Sequence, residues 1–420
     1  MPTMTPERMP ELDLQTLNRW NLYRQHLAPE SHTQNLRRIV KDIAGLHATF
    51  GTTPYLSLLA RSPEFARDDL DRELYQKHSL GKVRCVRGTV YVHTKDMIPI
   101  AYRATARLLL PTTRRYMQAG GVTENEYRRV SRAILKLLAG RELTASALKS
   151  ALGTKLDVSS ILYHMCDLGL IIRGWPEKGW RDKNHAYARF ADAFPDVELS
   201  ALSEREAETA LVRAYLHAFG PVTETDAVWW TGLGKTRVRA ALAQLAPEVT
   251  NVRPADLCPQ AIMLRKDVRR LAEPDPSGLQ AVRLIPVLDS YPMGYKERDR
   301  LLDPADRERA FGWAGNITST ILVGGRVAGV WDFERKPHPC IKLYFFRDVD
   351  RPLLRRTCEE AERVGACMAD GPVRLRTCEG MIPLRSRTAG GIMSPLQGMR
   401  VWGAGEFAPA LGLGFLCALA

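Results

Sequence analysis

Val83-Arg84-Cys85-Val86-Arg87-Gly88-Thr89-Val90-Tyr91-Val92 is a short run of β-branched residues broken by a single glycine, with two arginines at the break. That pattern predicts a small basic hairpin. Helical segments precede it. Residues 11–27 carry apolar Leu14, Leu17, Leu22 and Leu27 with Trp20 nearby, and Pro29 ends them. Leu36, Ile39, Val40, Ile43 and Leu46 recur at helical spacing. Tyr55 to Ala60 continues apolar after Pro54, and Asp68 to His78 opens with the acidic residues that suit a first helical turn. Several helices closed by a basic hairpin are the order of a winged helix.

The order recurs twice. Thr123-Glu124-Asn125-Glu126 is a capping-box signature that opens a helix to about Ala139. Thr144 to Leu152 and Asp157 to Leu168 read as two more helices, with Gly169 where a C′ glycine belongs. Leu170 to Arg173 is a strand, Trp175 to Asn184 a polar loop, and Ala186 to Phe190 a returning strand. Then Ser203-Glu204-Arg205-Glu206 opens a helix to Phe219, and Thr223 to Thr231 forms a second, ended by Gly232. Lys235 to Leu245 forms a third, with Val238, Leu242 and Leu245 inward and Lys235, Arg237, Arg239 and Gln244 outward; strand-like Glu248 to Arg253 follows. A recurrence of roughly eighty residues is not a solenoid period.

From about residue 280 the pattern turns to β. Ala281 to Leu288 is apolar, and 319–331 reads as two strands around the turn Gly324-Gly325. Cys340 to Phe346 and Val373 to Arg376 read as strands, Pro352 to Cys367 as a helix, and Leu411 to Ala420 as a final buried strand. The expected fold class is α+β, with three tandem winged-helix units followed by a small C-terminal β-barrel. The expected divisions are 1–120, 121–200, 201–278 and 279–420.

Bulk properties narrow the function. A chain of 420 residues exceeds one ordinary core. No apolar run approaches the roughly eighteen residues of a membrane span, and the start lacks a signal-peptide core. The eight cysteines are widely spaced, without a C-x-x-C or a cysteine–histidine cluster at zinc spacing. They read as reduced thiols in a cytoplasmic protein that needs neither metal nor cofactor. A net charge of +13 favours a polyanionic partner, nucleic acid first, over the alternative of a solvated arginine surface.

Gly45-Leu46-His47-Ala48-Thr49 closes the helix holding Leu36 to Leu46 and enters Phe50-Gly51-Thr52-Thr53-Pro54, which cannot continue it. In extended backbone, side chains at i and i+2 point the same way. His47 and Thr49 could therefore hold one water or one sugar. The bland alternative is a satisfied histidine at an element end.

Four stretches carry a resemblance. One is Gly45 to Thr49 with Pro54-Tyr55-Leu56-Ser57-Leu58 and Ala60-Arg61 downstream. The second is Arg87-Gly88-Thr89. The third is Gly220-Pro221-Val222-Thr223 with Asp226 and Trp229-Trp230-Thr231-Gly232-Leu233. The fourth is Leu284-Ile285-Pro286-Val287-Leu288-Asp289, Gly294-Tyr295-Lys296 with Arg298, and Gly329-Val330-Trp331. Each is short, but their order and spacing are specific. Over roughly 11–345 the chain resembles the winged-helix DNA glycosylases named for AlkZ and YcaQ.

The resemblance implies a DNA channel walled by winged helices and a barrel. It also implies a monofunctional glycosylase that removes N7-alkylated purines, including bulky antibiotic adducts and interstrand crosslinks, in base excision repair or self-resistance. The family's motif, Gln-apolar-Gln or Gln-apolar-Asp, falls on His47-Ala48-Thr49. This chain departs at both polar positions while keeping the spacing and the apolar middle, so a variant site is expected, with His47 and Thr49 catalytic.

An N7-alkylguanine is already cationic, so its departure needs no protonation. Oriented dipoles or a weak base beside C1′ suffice. Neutral His47 would accept a proton from the water or orient it, and Thr49 would place that water or bond a phosphate. Candidate phosphate contacts are Arg61, Arg84, Arg87, Lys235, Arg237, Arg239 and Arg298, with Asp289 a possible partner that orients a barrel arginine. For each arginine the alternative is a surface charge or an internal salt bridge, and for Asp289 a turn or cap. Trp175, Trp180, Trp229 and Trp230 read as packing groups. The expected partner is double-stranded DNA carrying alkylated purines, bound by a cytoplasmic, nucleoid-associated monomer without a membrane. The competing reading is a non-catalytic winged-helix DNA binder, such as a regulator or damage sensor.

Overall fold

The computed structural model describes residues 10–182, 184–255, 257–381 and 394–396. The strand expected at Leu411 to Ala420 lies outside them. The fold is mixed α+β, and three of its four sheets have three strands each.

In the first sheet Leu46–His47 and Leu80–Arg84 both pair antiparallel with Val90–Thr94, which lies between them. In the second, Leu143–Thr144 and Ile171–Pro176 flank His185–Arg189. The third draws on two distant parts of the chain. Glu11–Leu12 runs parallel to Val249–Pro254, which pairs antiparallel with Ala261–Leu264. The helix expected over 11–27 thus begins only at Leu14, capped by the Asp13 carboxylate accepting from Thr16 N at 2.7 Å. Capping boxes at Thr123 and Ser203 start the helices Glu124–Leu137 and Glu204–Phe219, as the sequence predicts. Helix Glu224–Thr231 ends on Gly232 in the left-handed conformation. The sequence pattern misses the helix Met97–Ala119, because Pro99 and Pro111 interrupt its periodicity.

One difference matters for the site. The helix expected to reach Leu46 stops at Asp42. Ala44 (φ 55°) and Gly45 (φ 103°) are left-handed, and Leu46–His47 is a strand. Apolar spacing alone cannot register that break, since Leu46 stays buried in either element.

The C-terminal sheet has five strands in sequence order: Val282–Ile285, Thr320–Val323, Arg326–Glu334, Cys340–Phe345 and Arg374–Thr377. The first three pairings are antiparallel and the last is parallel. A parallel neighbour needs a crossover, which the helix Arg351–Ala369 provides. That helix lays Ala361 and Val364 against Leu284, Ile321 and Leu343. The described residues therefore form an open, helix-covered sheet and not the expected closed barrel; its two edge strands do not pair.

Two shared cores fix the relative placement of these parts. Leu36, Ile39, Leu46 and Leu58 pack in one cluster with the C-terminal sheet. A larger cluster joins Val83, Val86 and Tyr91 to Tyr215, Phe219 and Trp230, and to Leu288, Tyr291 and Tyr295. The seven described cysteines are free thiols. No helix of the described residues is long and apolar enough to cross a membrane.

Candidate active site

Gly45 opens the site segment. At its φ of 103° an added Cβ would sit 2.6 Å from His93 Cε1 and 2.7 Å from Nδ1, so only glycine lets the strand approach so closely. Ser290 Oγ donates to the Gly45 carbonyl at 2.8 Å, and Ala48 N donates to Val90 O at 2.8 Å. Between these anchors His47 is only 2% exposed, its ring centroid 5.0 Å from that of Tyr91. Thr49 emerges exposed, and its N–H donates to His47 Nδ1 at 3.4 Å. His47 and Thr49 thus share one edge, although His47 lies within a sheet and not at the end of a helix.

Burial, helped by the nearby Arg87 charge and opposed by Asp289, pushes the His47 pKa down to about 3. The imidazole is neutral at any physiological pH. With Nδ1 accepting from Thr49, its proton belongs on Nε2.

Asp289 caps the short helix Ser290–Met293 and is fully buried. Its partner is Arg61, whose Nη1 and Nη2 donate to the two carboxylate oxygens at 2.8 Å each. Ser57 Oγ adds a 2.6 Å bond, and Arg61 spends its remaining donors on Gln25 O and Ser57 O at 2.9 Å. Asp289 does orient an arginine, but one from the N-terminal unit, which ties that unit to the C-terminal segment. Arg61 is 0% exposed and saturated with acceptors, so it does not stand on a phosphate-facing surface, contrary to the expectation from sequence. Arg84 is likewise occupied. It pairs with buried Asp167 at 2.6 Å and donates to Gly88 O at 2.9 Å, bracing the hairpin against the second unit.

Arg87 and Arg298 come together. Arg87 sits at the hairpin tip in left-handed backbone (φ 53°, ψ 18°), its guanidinium carbon 3.9 Å from the centroid of the Trp229 ring. Arg298 lies 5.5 Å from the same indole and 3.8 Å from the Phe311 ring, and donates to Gly315 O at 2.7 Å. Asp226 holds this junction: its Oδ1 accepts from Lys296 N at 2.7 Å and Glu297 N at 2.9 Å.

The third-unit cations are more dispersed. Lys235 and Arg239 share Glu224, at 3.5 and 2.8 Å, and stay exposed. Arg237 turns inward to Glu204 and Glu208. The sequence reading did not single out Tyr91, Ser57 or Ser290. Only the hairpin's alternation, which puts Tyr91 and His93 on one face, hinted at the first. Trp229, read as packing, is half-buried with two guanidiniums over its ring.

Residues 40–367 match a family model described as DNA glycosylase AlkZ-like. A curated protein of Streptomyces sahachiroi, an interstrand DNA cross-link repair glycosylase, is 26% identical over 374 residues, spanning 85% of this chain and 96% of its own. The solved structure of Streptomyces sahachiroi DNA glycosylase AlkZ is similar in fold, with a TM-score of 0.71 at 22% identity, covering 87% of this chain and 100% of that one.

Proposed function

This chain belongs to the AlkZ-like DNA glycosylase family, and from that premise we propose that it hydrolyses the N-glycosidic bond of N7-alkylated guanine in duplex DNA, bulky adducts of the antibiotic type above all. Such an activity serves base excision repair or self-resistance. In this reading the three helix-and-hairpin units (1–120, 121–200, 201–278) are winged helices, and the sheet of 279–420 is the opposite wall of a DNA channel.

The observation that carries the reading is the neutral, buried His47 beside exposed Thr49, at the position of the family's polar-apolar-polar motif. A group with so low a pKa is a poor proton acceptor at neutral pH. His47 acts instead as a fixed dipole that holds the attacking water, with Thr49 as its second anchor. That is enough for a leaving base which already bears positive charge, because preorganised dipoles stabilise the transition state without having to reorganise. Arg87, Arg298 and the exposed Lys235 and Arg239 are the phosphate contacts in this reading, whereas Arg61 and Arg84 are held by buried Asp289 and Asp167 and Arg237 turns inward to Glu204 and Glu208.

The test is excision from duplexes holding a single N7-methylguanine or one bulky N7-guanine adduct, read as strand cleavage by heat or alkali at the abasic site. Wild type, His47→Ala and Thr49→Ala are compared. Release by wild type and not by His47→Ala supports the site as drawn. Release of the bulky adduct alone points to antibiotic resistance, and release of both points to general alkylation repair. Tight binding without release from either would make the protein a DNA-binding module.

A further inference from the structure

Among the described residues, the Arg87 guanidinium has neither a carboxylate nor a hydrogen-bond acceptor; its contact is the Trp229 face. That is unusual for a half-buried group with five N–H donors, since desolvated donors without acceptors are unfavourable. Arg61, by contrast, is saturated, and Arg84 is paired with Asp167.

The arrangement is built, not incidental. Left-handed backbone at Arg87, continued by Gly88 (φ 70°), aims the side chain at the indole. Gly232, which ends the helix carrying Trp229, lets the hairpin tip seat, because a Cβ there would lie 3.2 Å from Arg87 N. Arg298 reaches the same indole from a third segment. The ring's quadrupole offsets the missing acceptors of Arg87 only in part, and an anion would complete them.

We propose that one backbone phosphate of the DNA, next to the nucleotide whose base is removed, is that anion, seated on Arg87 beside the Trp229 face, and that by neutralising Arg87 it removes a positive charge that would oppose the cationic sugar formed near His47. The proposal rests on the glycosylase reading for the position of the lesion. Paired N–H donors in a rigid fork match phosphate oxygens better than any other side chain. The Arg87 charge already acts on both His47 and Tyr91, so pairing it changes the field at the site. Trp229 is a positioning residue here: its ring holds the Arg87 guanidinium.

The test is a chemical cycle. Duplexes with one N7-methylguanine receive a single uncharged methylphosphonate, moved linkage by linkage around the lesion. Affinity and the single-turnover excision constant are measured separately for wild type, Arg87→Ala, Arg87→Lys, Trp229→Leu and Trp229→Phe, each checked by its melting curve. In wild type one linkage weakens binding about tenfold, the scale of a charge-assisted hydrogen bond, and slows excision as well. Arg87→Ala binds the normal duplex about tenfold more weakly and loses nothing further at that linkage. Arg87→Lys and Trp229→Phe fall between, and Trp229→Leu behaves like Arg87→Ala. Wild-type affinity in Arg87→Ala, or an equal methylphosphonate penalty in both proteins at every linkage, overturns the proposal. If wild type excises no base, the glycosylase reading fails, and the binding cycle still decides whether Arg87 takes a phosphate.

Discussion

Arg61 and Asp289, 228 positions apart, meet as a bidentate ion pair at 2.8 Å with neither side chain exposed. Burying two charges is unfavourable unless every donor and acceptor is used. Here Ser57, Gln25 and the Tyr291 N–H complete the set. The pair fastens the segment that follows His47 to the turn at Leu288 (φ 59°) and Asp289.

Removing one partner leaves a buried, uncompensated charge. Asp289→Asn is expected to lose about 3–5 kcal/mol of stability, while the double variant Arg61→Met, Asp289→Leu recovers much of it. Thermal or urea unfolding measures both. A melting temperature for Asp289→Asn within a degree of wild type would contradict the argument. Burial pushes the Asp289 carboxyl up, but the Arg61 charge and hydrogen bonds more than offset it and hold it below its ordinary 3.8. A depressed carboxylate contributes stability above its unfolded pKa and loses it as pH falls. The acid limb of the stability curve should therefore be shallower in the double variant.

His47 stays neutral because burial and Arg87 push its pKa to about 3. Excision should be flat between pH 8 and 5 and show no inflection near 6.5. The ring resonance of His47, assigned by its loss in His47→Gln, should not shift over that interval. An inflection near 6.5 that vanishes in His47→Gln would show a titrating base instead. His47→Ala should slow excision roughly 10²-fold, the usual cost of one oriented dipole. The unfolded chain takes up a proton at this position near 6.5 and the folded one does not. The contribution of His47 is thus complete above pH 6.5 and declines as pH drops toward 3.

Gly45 combines a positive φ with a contact that any Cβ would violate, whereas Gly179 has a similar φ of 83° and nothing within 4 Å. Gly45→Ala should lose well over about 1 kcal/mol and also lower excision, because the strand carrying His47 must shift. Gly179→Ala shows the backbone effect alone. Equal melting losses for the two would remove the His93 clash from the account.

Glu224 serves two exposed cations, Lys235 and Arg239. Glu224→Gln should raise affinity for duplex DNA at low salt, damaged or not, and Lys235→Ala should lower the slope of log affinity against log salt by about one. Anisotropy titrations over a salt series measure this. A Lys235→Ala slope equal to wild type would take that helix off the DNA face.

Much of the architecture was legible because it depends on short-range chemistry. The capping boxes at Thr123 and Ser203, the left-handed Gly232 and the Gly324-Gly325 turn fall where local pattern puts them. The triplet at 47–49 was legible only as a spacing. Its element was misread, because Leu46 satisfies a helix stripe and a buried strand equally well.

What the sequence determined by itself was most of the helices and hairpins and their order, which follow from neighbours a few residues apart, together with the basic excess and the family motif. The tertiary structure decided which charges are paired internally. Arg61, Arg84 and Arg87 are chemically alike in the sequence. Burial against Asp289 and Asp167 makes the first two struts, while Arg87, stacked on Trp229, has no counter-ion among the described residues. Partner and burial set the worth of a charge, and both come from contacts between residues far apart in the chain.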